Sequence, residues 1–167
     1  MHDELTSVDL KKLREELEYR ETVLQPKILE DVKTARGFGD LSENFEYKAA
    51  KQEKIRTESR MRYLRNMIST AVVVDPESGE DEIGLFDEVT LYFEEDDEEQ
   101  TIRLVTTLRQ NALKGLISTK SPLGGAILGR HVGDRVKIHV SDDYSYFVTV
   151  RDIRKGEDDA SLEIARF

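Results

Sequence analysis

Gly37-Phe38-Gly39-Asp40-Leu41-Ser42-Glu43-Asn44 decides the fold, because it separates two long stretches of helical periodicity. Before it, Leu10, Leu17 and Leu24 recur every seven residues, and Leu13 and Ile28 widen the stripe. This spacing predicts a helix from Thr6 or Ser7 to Arg36, with either residue as cap and Asp9 in the first turn. Pro26 lacks an amide donor and crowds the preceding turn, so a kink or short break is expected there. After the glycines, the second helix should run from about Leu41 to Ala71. Tyr47, Lys54, Met61 and Ile68 form one seven-residue series, and Ala50, Thr57, Leu64 and Ala71 the other. Two such helices joined by a glycine turn predict an antiparallel coiled-coil hairpin over residues 1–74. An arm of about 30 residues reaches roughly 45 Å.

The pattern changes after Val74. Asp75-Pro76-Glu77-Ser78-Gly79-Glu80-Asp81 has the turn residues of a linker, placed at 75–82. Alternation then predicts strands around Val89–Phe93, Ile102–Val105, Val136–Val140 and Tyr146–Ile153, with Leu162 and Ile164 as an edge strand. The acidic run Glu94–Glu99 reads as an exposed hairpin tip, and Gly124–Leu128 as a short helix. Phe86, Val89, Leu91 and Phe147 are candidate core residues. The class is therefore α+β, with a small antiparallel β domain at 83–167 following the hairpin.

Composition narrows the chemistry. The 167 residues include no cysteine, which excludes a disulfide framework, a zinc–thiolate site and a thiol nucleophile. No apolar run is long enough for a membrane span, and residues 1–15 do not resemble a secretory signal. A cytoplasmic location is the expectation. Residues 1–74 carry 14 acidic and 14 basic side chains, whereas residues 75–167 carry 21 and 11. The second half is thus a poor general binder of duplex nucleic acid and suits a basic protein surface better. Solubility alone is the plainer reading of that charge.

Asp40 and Glu43 admit two accounts. Asp40 can cap the second helix, with Glu43 bonding back in a capping box, while Gly37 and Gly39 supply backbone angles other residues resist. Alternatively, two carboxylates three residues apart are oxygen donors suited to Mg²⁺. Two are too few for an all-protein cage, so tight binding by the isolated chain is not expected. The arrangement suggests a half-site donated to a partner.

The stretch Ala35–Lys51 resembles the tip signature of the Gre family of bacterial transcript cleavage factors, in which G-D-L-S/K-E-N-x-E-Y follows the first helix. Ser121–Gly129 with Val132-Gly133-Asp134 resembles the family's C-terminal S-P-x-G-x-A-x-x-G and G-D pattern. The two matches fall in both domains in the family's order. The resemblance implies that the C-terminal domain is FKBP-like and docks near the rim of the RNA polymerase secondary channel. It further implies that the coiled coil enters that channel and completes a second Mg²⁺ site, so that polymerase cleaves backtracked nascent RNA. On this chain, Asp40 and Glu43 match the catalytic, metal-binding tip acids. Gly37, Gly39, Ser42 and Asn44 match tip supports. Lys33, Arg36, Phe38, Lys48 and Lys51 match positions that contact RNA or channel. The partners implied are bacterial RNA polymerase and its backtracked RNA, for a monomeric factor with no membrane association.

Three departures stand out. Phe38 puts a ring in the tip. Val105-Thr106-Thr107-Leu108-Arg109-Gln110 replaces the family's V-G-x-x-E-A-like stretch, altering the expected docking surface. The tail Lys155–Phe167 runs past the usual ending, where it could cover a sheet edge. These departures keep open the alternative of a non-cleaving regulator or inhibitor that occupies the same channel.

Overall fold

A computed structural model describes residues 3–37, 44–159 and 161–164. The chain divides into two compact units, one built on Leu10–Ala71 and the other on Asp3–Asp9 together with the chain from Val72 onward.

Strand β1 (Glu4–Leu5) precedes helix α1 (Ser7–Tyr19). Thr6 caps α1 through a reciprocal pair: the Asp9 amide donates to Thr6 Oγ1 (3.2 Å), and the Thr6 amide donates to Asp9 Oδ2 (3.1 Å). A π-helical turn, Arg20–Leu24, links α1 to α2 (Gln25–Arg36). This turn resolves the conflict posed by Pro26. Widening one turn, so that the Gln25 amide donates to the Arg20 carbonyl, relieves the crowding ahead of the proline and removes the need for a break.

Helix α3 (Phe45–Thr70) packs along α2, and the facing ends of the two helices lie together at Ala35 and Asn44. The arms therefore run antiparallel. Leu10, Leu13, Ile28 and Ala35 are buried, as are Thr57, Met61, Leu64 and Met67 of α3. The seam also holds charge. Arg60 is only 8% exposed and donates from Nε and Nη2 to the two carboxylate oxygens of Glu16 at 2.9 and 3.0 Å. Arg20 Nε donates to the same carboxylate at 3.0 Å.

Burial pushes the Glu16 carboxyl up. The hydrogen bonds and charges of Arg60 and Arg20 more than offset it, leaving the pKa below its ordinary value of 4.5. A lowered carboxyl contributes stability that is complete above the unfolded pKa and fades as pH falls through the folded one. Glu16→Gln should therefore flatten the acid limb of the urea midpoint below about pH 4.5. An unchanged acid limb in the variant would remove Glu16 from the acid response.

In the second unit, β2 (Val72–Val73) pairs parallel with β1. Five further strands are β3 (Glu88–Phe93), β4 (Glu98–Val105), β5 (Leu116–Ser118), β6 (Arg135–Ser141) and β7 (Tyr144–Arg154). Their order in the sheet is β5-β4-β3-β7-β6. Helix α4 (Pro122–Ile127) adds Ile127 to a core of Ile83, Val89, Leu91, Ile102, Leu104, Val136, Ile138, Val148 and Val150. The acidic run lies at an exposed turn, with Glu98 and Glu99 already in β4.

Three expectations change. The sheet is mixed, not wholly antiparallel, because β5 runs parallel to β4. Two 3₁₀ turns, Thr107–Arg109 and Ala112–Lys114, return the chain so that it re-enters in the same sense. Residues 161–164 form no strand, and β5 and β6 take the edges. Phe147 is only half-buried and lies outside the core, with the Arg135 guanidinium 3.8 Å from its ring centroid. Tyr146, Val148 and Val150 supply the inward register of β7 instead.

Candidate functional site

The site begins where α2 ends and α3 starts. Lys33 and Arg36 occupy the last turn of α2, where the helix dipole favours cations. Gly37 closes the helix at φ −73°, ψ −10°, an ordinary right-handed conformation. Gly37 thus uses no angle reserved for glycine, contrary to the sequence expectation. Phe38, Gly39, Asp40, Ser42 and Glu43 lie outside the described residues.

The chain becomes describable again at Asn44, which is the N-cap of α3. Asn44 Oδ1 accepts from the Tyr47 amide at 3.0 Å, and Asn44 Nδ2 donates to the Ala35 carbonyl at 2.6 Å. One side chain therefore caps the second arm and ties it to the end of the first. This corrects the sequence reading, in which Asp40 capped a helix beginning near Leu41. The helix begins at Phe45 and is capped by Asn44. Asn44→Ala should cost about 1 kcal/mol through the lost cap alone. It should also raise amide exchange at the adjoining ends of α2 and α3; unchanged exchange at Ala35 and Tyr47 would rule out the clasp.

Arg36 Nη2 donates to the Tyr47 hydroxyl at 3.3 Å, and its guanidinium lies 5.6 Å from the Tyr47 ring centroid. That hydrogen bond, reinforced by the charges of Arg36, Lys51 and Lys54, lowers the Tyr47 pKa against a smaller opposing effect of burial. Lys48 Nζ sits 5.6 Å from the Phe45 ring centroid, and Phe45 is 80% exposed. Lys33, Lys48 and Lys51 are exposed as well. The structure thus brings Arg36, Asn44 and Tyr47 together and places Lys48 against Phe45. Sequence reasoning missed Phe45 and put Tyr47 in the helical seam. The signal available for both was their place within the tip signature.

Among the described residues, no three His, Cys, Asp or Glu side chains gather to hold a metal ion. No helix among them is long and apolar enough to cross a membrane.

Two family models match along the chain: the transcription elongation factor N-terminal model over residues 4–73 and the GreA/GreB C-terminal model over residues 77–155. The chain belongs to the GreA/GreB family of bacterial transcription elongation factors. Transcription elongation factor GreA of Geobacillus kaustophilus (strain HTA426) is 42% identical over 135 residues, covering 80% of this chain and 85% of that protein. GreA of Clostridium botulinum (strain Eklund 17B / Type B) is 38% identical over 153 residues, covering 91% and 95%. A solved structure of GreA factor homolog 1 (Gfh1) of Thermus thermophilus is 28% identical, with a TM-score of 0.44 and coverage of 93% and 100%. Membership in the GreA/GreB family supports a role with RNA polymerase. The N-terminal match ends at Val73 and the C-terminal match at Lys155, so the tail from Gly156 lies beyond both.

Proposed function

We propose that this chain is a transcript cleavage factor whose hairpin enters the secondary channel of bacterial RNA polymerase and brings Asp40 and Glu43 to the polymerase's catalytic centre. The observation that carries this reading is the clasp at Asn44. Because Asn44 caps α3 and bonds the Ala35 carbonyl, α3 starts at Phe45, just past the stretch that holds the two carboxylates.

The donor set fits Mg²⁺. Two carboxylates offer hard oxygen ligands, and a site with one or two carboxylates leaves positions for water, phosphate and polymerase ligands. Asp40 would hold the ion and Glu43 would position the ion or the attacking water. When bound there, Mg²⁺ would orient or activate water for phosphodiester hydrolysis. Arg36, Lys33, Lys48 and Lys51 would attract RNA phosphates or acidic channel walls. Phe38 would stack on an RNA base or press against the channel wall, and the exposed Phe45 ring is a further stacking surface. The C-terminal unit, an FKBP-like domain in this reading, would dock the monomeric factor near the channel rim.

On this account the chain is not an enzyme by itself. A stalled, backtracked elongation complex made with cognate polymerase should release a 3′ RNA fragment when the factor and Mg²⁺ are both present. The factor with RNA alone should release nothing. Cleavage of free RNA by the isolated chain would contradict a donated half-site. Polymerase binding without stimulated cleavage would point to a regulator that occupies the channel.

A further inference from the structure

Arg36 at the end of α2 and Tyr47 in the first turns of α3 are tied together twice. The first tie is in the backbone. Asn44 Nδ2 holds the carbonyl of Ala35, the neighbour of Arg36, while Asn44 Oδ1 holds the amide of Tyr47. One clasp therefore fixes both of the chain segments that carry the guanidinium and the phenol. The second tie is between the side chains themselves. The guanidinium lies 5.6 Å from the Tyr47 ring centroid, and its Nη2 donates to the Tyr47 hydroxyl at 3.3 Å. Ring and hydroxyl together restrict a long side chain that otherwise samples many rotamers.

The charge held in this way is not neutralised. Arg36 is exposed, and among the described residues it pairs with no carboxylate. Lys51 and Lys54 add their charges at Tyr47. Lys54 has Glu58 at 3.8 Å, whereas Lys51 has no carboxylate partner among the described residues. A carboxylate in place of the phenol would orient the guanidinium and cancel its charge. A neutral tyrosine orients it and leaves the charge whole.

An oriented, uncancelled guanidinium suits an anion that arrives from outside. Its planar fork of five N–H donors matches two oxygens of a phosphate, and the Tyr47 hydroxyl occupies only one of its nitrogens. Holding the fork before the phosphate arrives removes ordering cost from the binding step. Arg36 also precedes Asp40 by four residues in the chain. We propose that Tyr47 is a positioning residue, which presets the Arg36 guanidinium to receive a phosphate of the backtracked RNA. This inference rests on the cleavage reading above and adds to it the group that orients one of its cations.

Tyr47→Phe removes the hydroxyl and keeps the ring. The test is single-turnover 3′-fragment release from a backtracked complex at saturating factor and Mg²⁺, for wild type, Arg36→Ala, Tyr47→Phe and the double variant. Tyr47→Phe should slow release about threefold to tenfold, the scale of one hydrogen bond. Arg36→Ala should slow it more. The double variant should be no slower than Arg36→Ala, because the phenol acts only through the guanidinium. Side-chain ¹⁵N relaxation at Arg36 Nε, measured on the isolated full chain, reads the holding without any cleavage. Arg36 should be ordered in wild type and more mobile in Tyr47→Phe. Release at the wild-type rate by Tyr47→Phe, or equal Arg36 mobility in the two proteins, would overturn the proposal. A further loss on adding Tyr47→Phe to Arg36→Ala would also overturn it, making Tyr47 a structural part of the tip. No release by wild type, with Arg36 ordered, would overturn the cleavage reading itself and remove RNA as the ligand of Arg36.

Discussion

Arg109→Ala should destabilise the protein by about 3–5 kcal/mol, the range for breaking a buried ion pair by removing one partner. The Arg109 and Asp9 side chains are both 0% exposed, and Arg109 Nε donates to Asp9 Oδ1 at 2.7 Å. Arg109 Nη1 donates to Asp158 and also to the Asp159 carbonyl, the latter at 3.1 Å. Asp158 Oδ2 in turn accepts from Thr6 Oγ1 at 2.7 Å. The guanidinium also sits 5.2 Å from the Phe86 ring centroid. Removing it leaves Asp9 buried without its cation and opens a void beside Phe86.

A loss of that size is a large share of the 5–15 kcal/mol typical of a domain. It should appear as a marked fall in the urea midpoint. Arg109→Met with Asp9→Asn should recover part of it, because both charges are gone and Asn can still accept from the Thr6 amide. A loss below 1 kcal/mol for Arg109→Ala would mean that water replaces the guanidinium and that the network contributes little.

This cluster joins two of the departures noted in the sequence. The stretch Val105–Gln110 was expected to alter a docking surface. Instead Val105, Thr106, Leu108 and Arg109 are all buried. The tail supplies partners to Arg109 through Asp158 and Asp159, and bonds neighbouring residues as well. Gly156 donates its amide to Asp87 Oδ1 at 3.0 Å, and Arg103 Nη2 donates to the Glu157 carbonyl at 2.9 Å. The tail thus secures the interior of its unit, and its described residues add no edge strand. Nothing local in residues 9, 109 and 158 could announce their meeting, since each charge alone reads as surface.

The helical hairpin was legible because its signals are local and periodic. Leu10, Met61 and Leu64 fall where seven-residue spacing puts them, Leu13 widens the same stripe, and all four are buried. The Glu16–Arg60 pair in the same seam was not legible, because long charged side chains usually belong to the solvated face. In β7, apolar and aromatic residues occupy both registers, so alternation alone could not choose Val148 over Phe147. At the tip, the Asp40-to-Glu43 spacing drew the cap assignment away from Asn44. Asn44 is the cap because its Oδ1 accepts the Tyr47 amide, while its Nδ2 reaches Ala35, a contact between arms that no local spacing announces.

The second large effect concerns the tip. Asp40→Asn should abolish stimulated RNA cleavage while leaving folding and polymerase binding intact. Asn is nearly isosteric with Asp but lacks the charge that suits a hard dication. Because α3 is capped by Asn44, the substitution should leave the helix start undisturbed. Glu43→Gln should also lower cleavage, by weakening the acceptor that positions the ion or the water. Loss of one transition-state electrostatic contact commonly costs about 10²–10³ in rate, and a lost metal ligand should do at least as much. Circular dichroism and polymerase-binding assays on the two variants would separate this chemistry from any effect on folding.

The most direct test is 3′-fragment release from a stalled, backtracked elongation complex with cognate polymerase and Mg²⁺, comparing wild type with Asp40→Asn at matched polymerase occupancy. Rapid release with wild type, and release at the factor-free rate with the variant, is the predicted result. Equal release by the two proteins would contradict the donation of Asp40 to the polymerase's metal site.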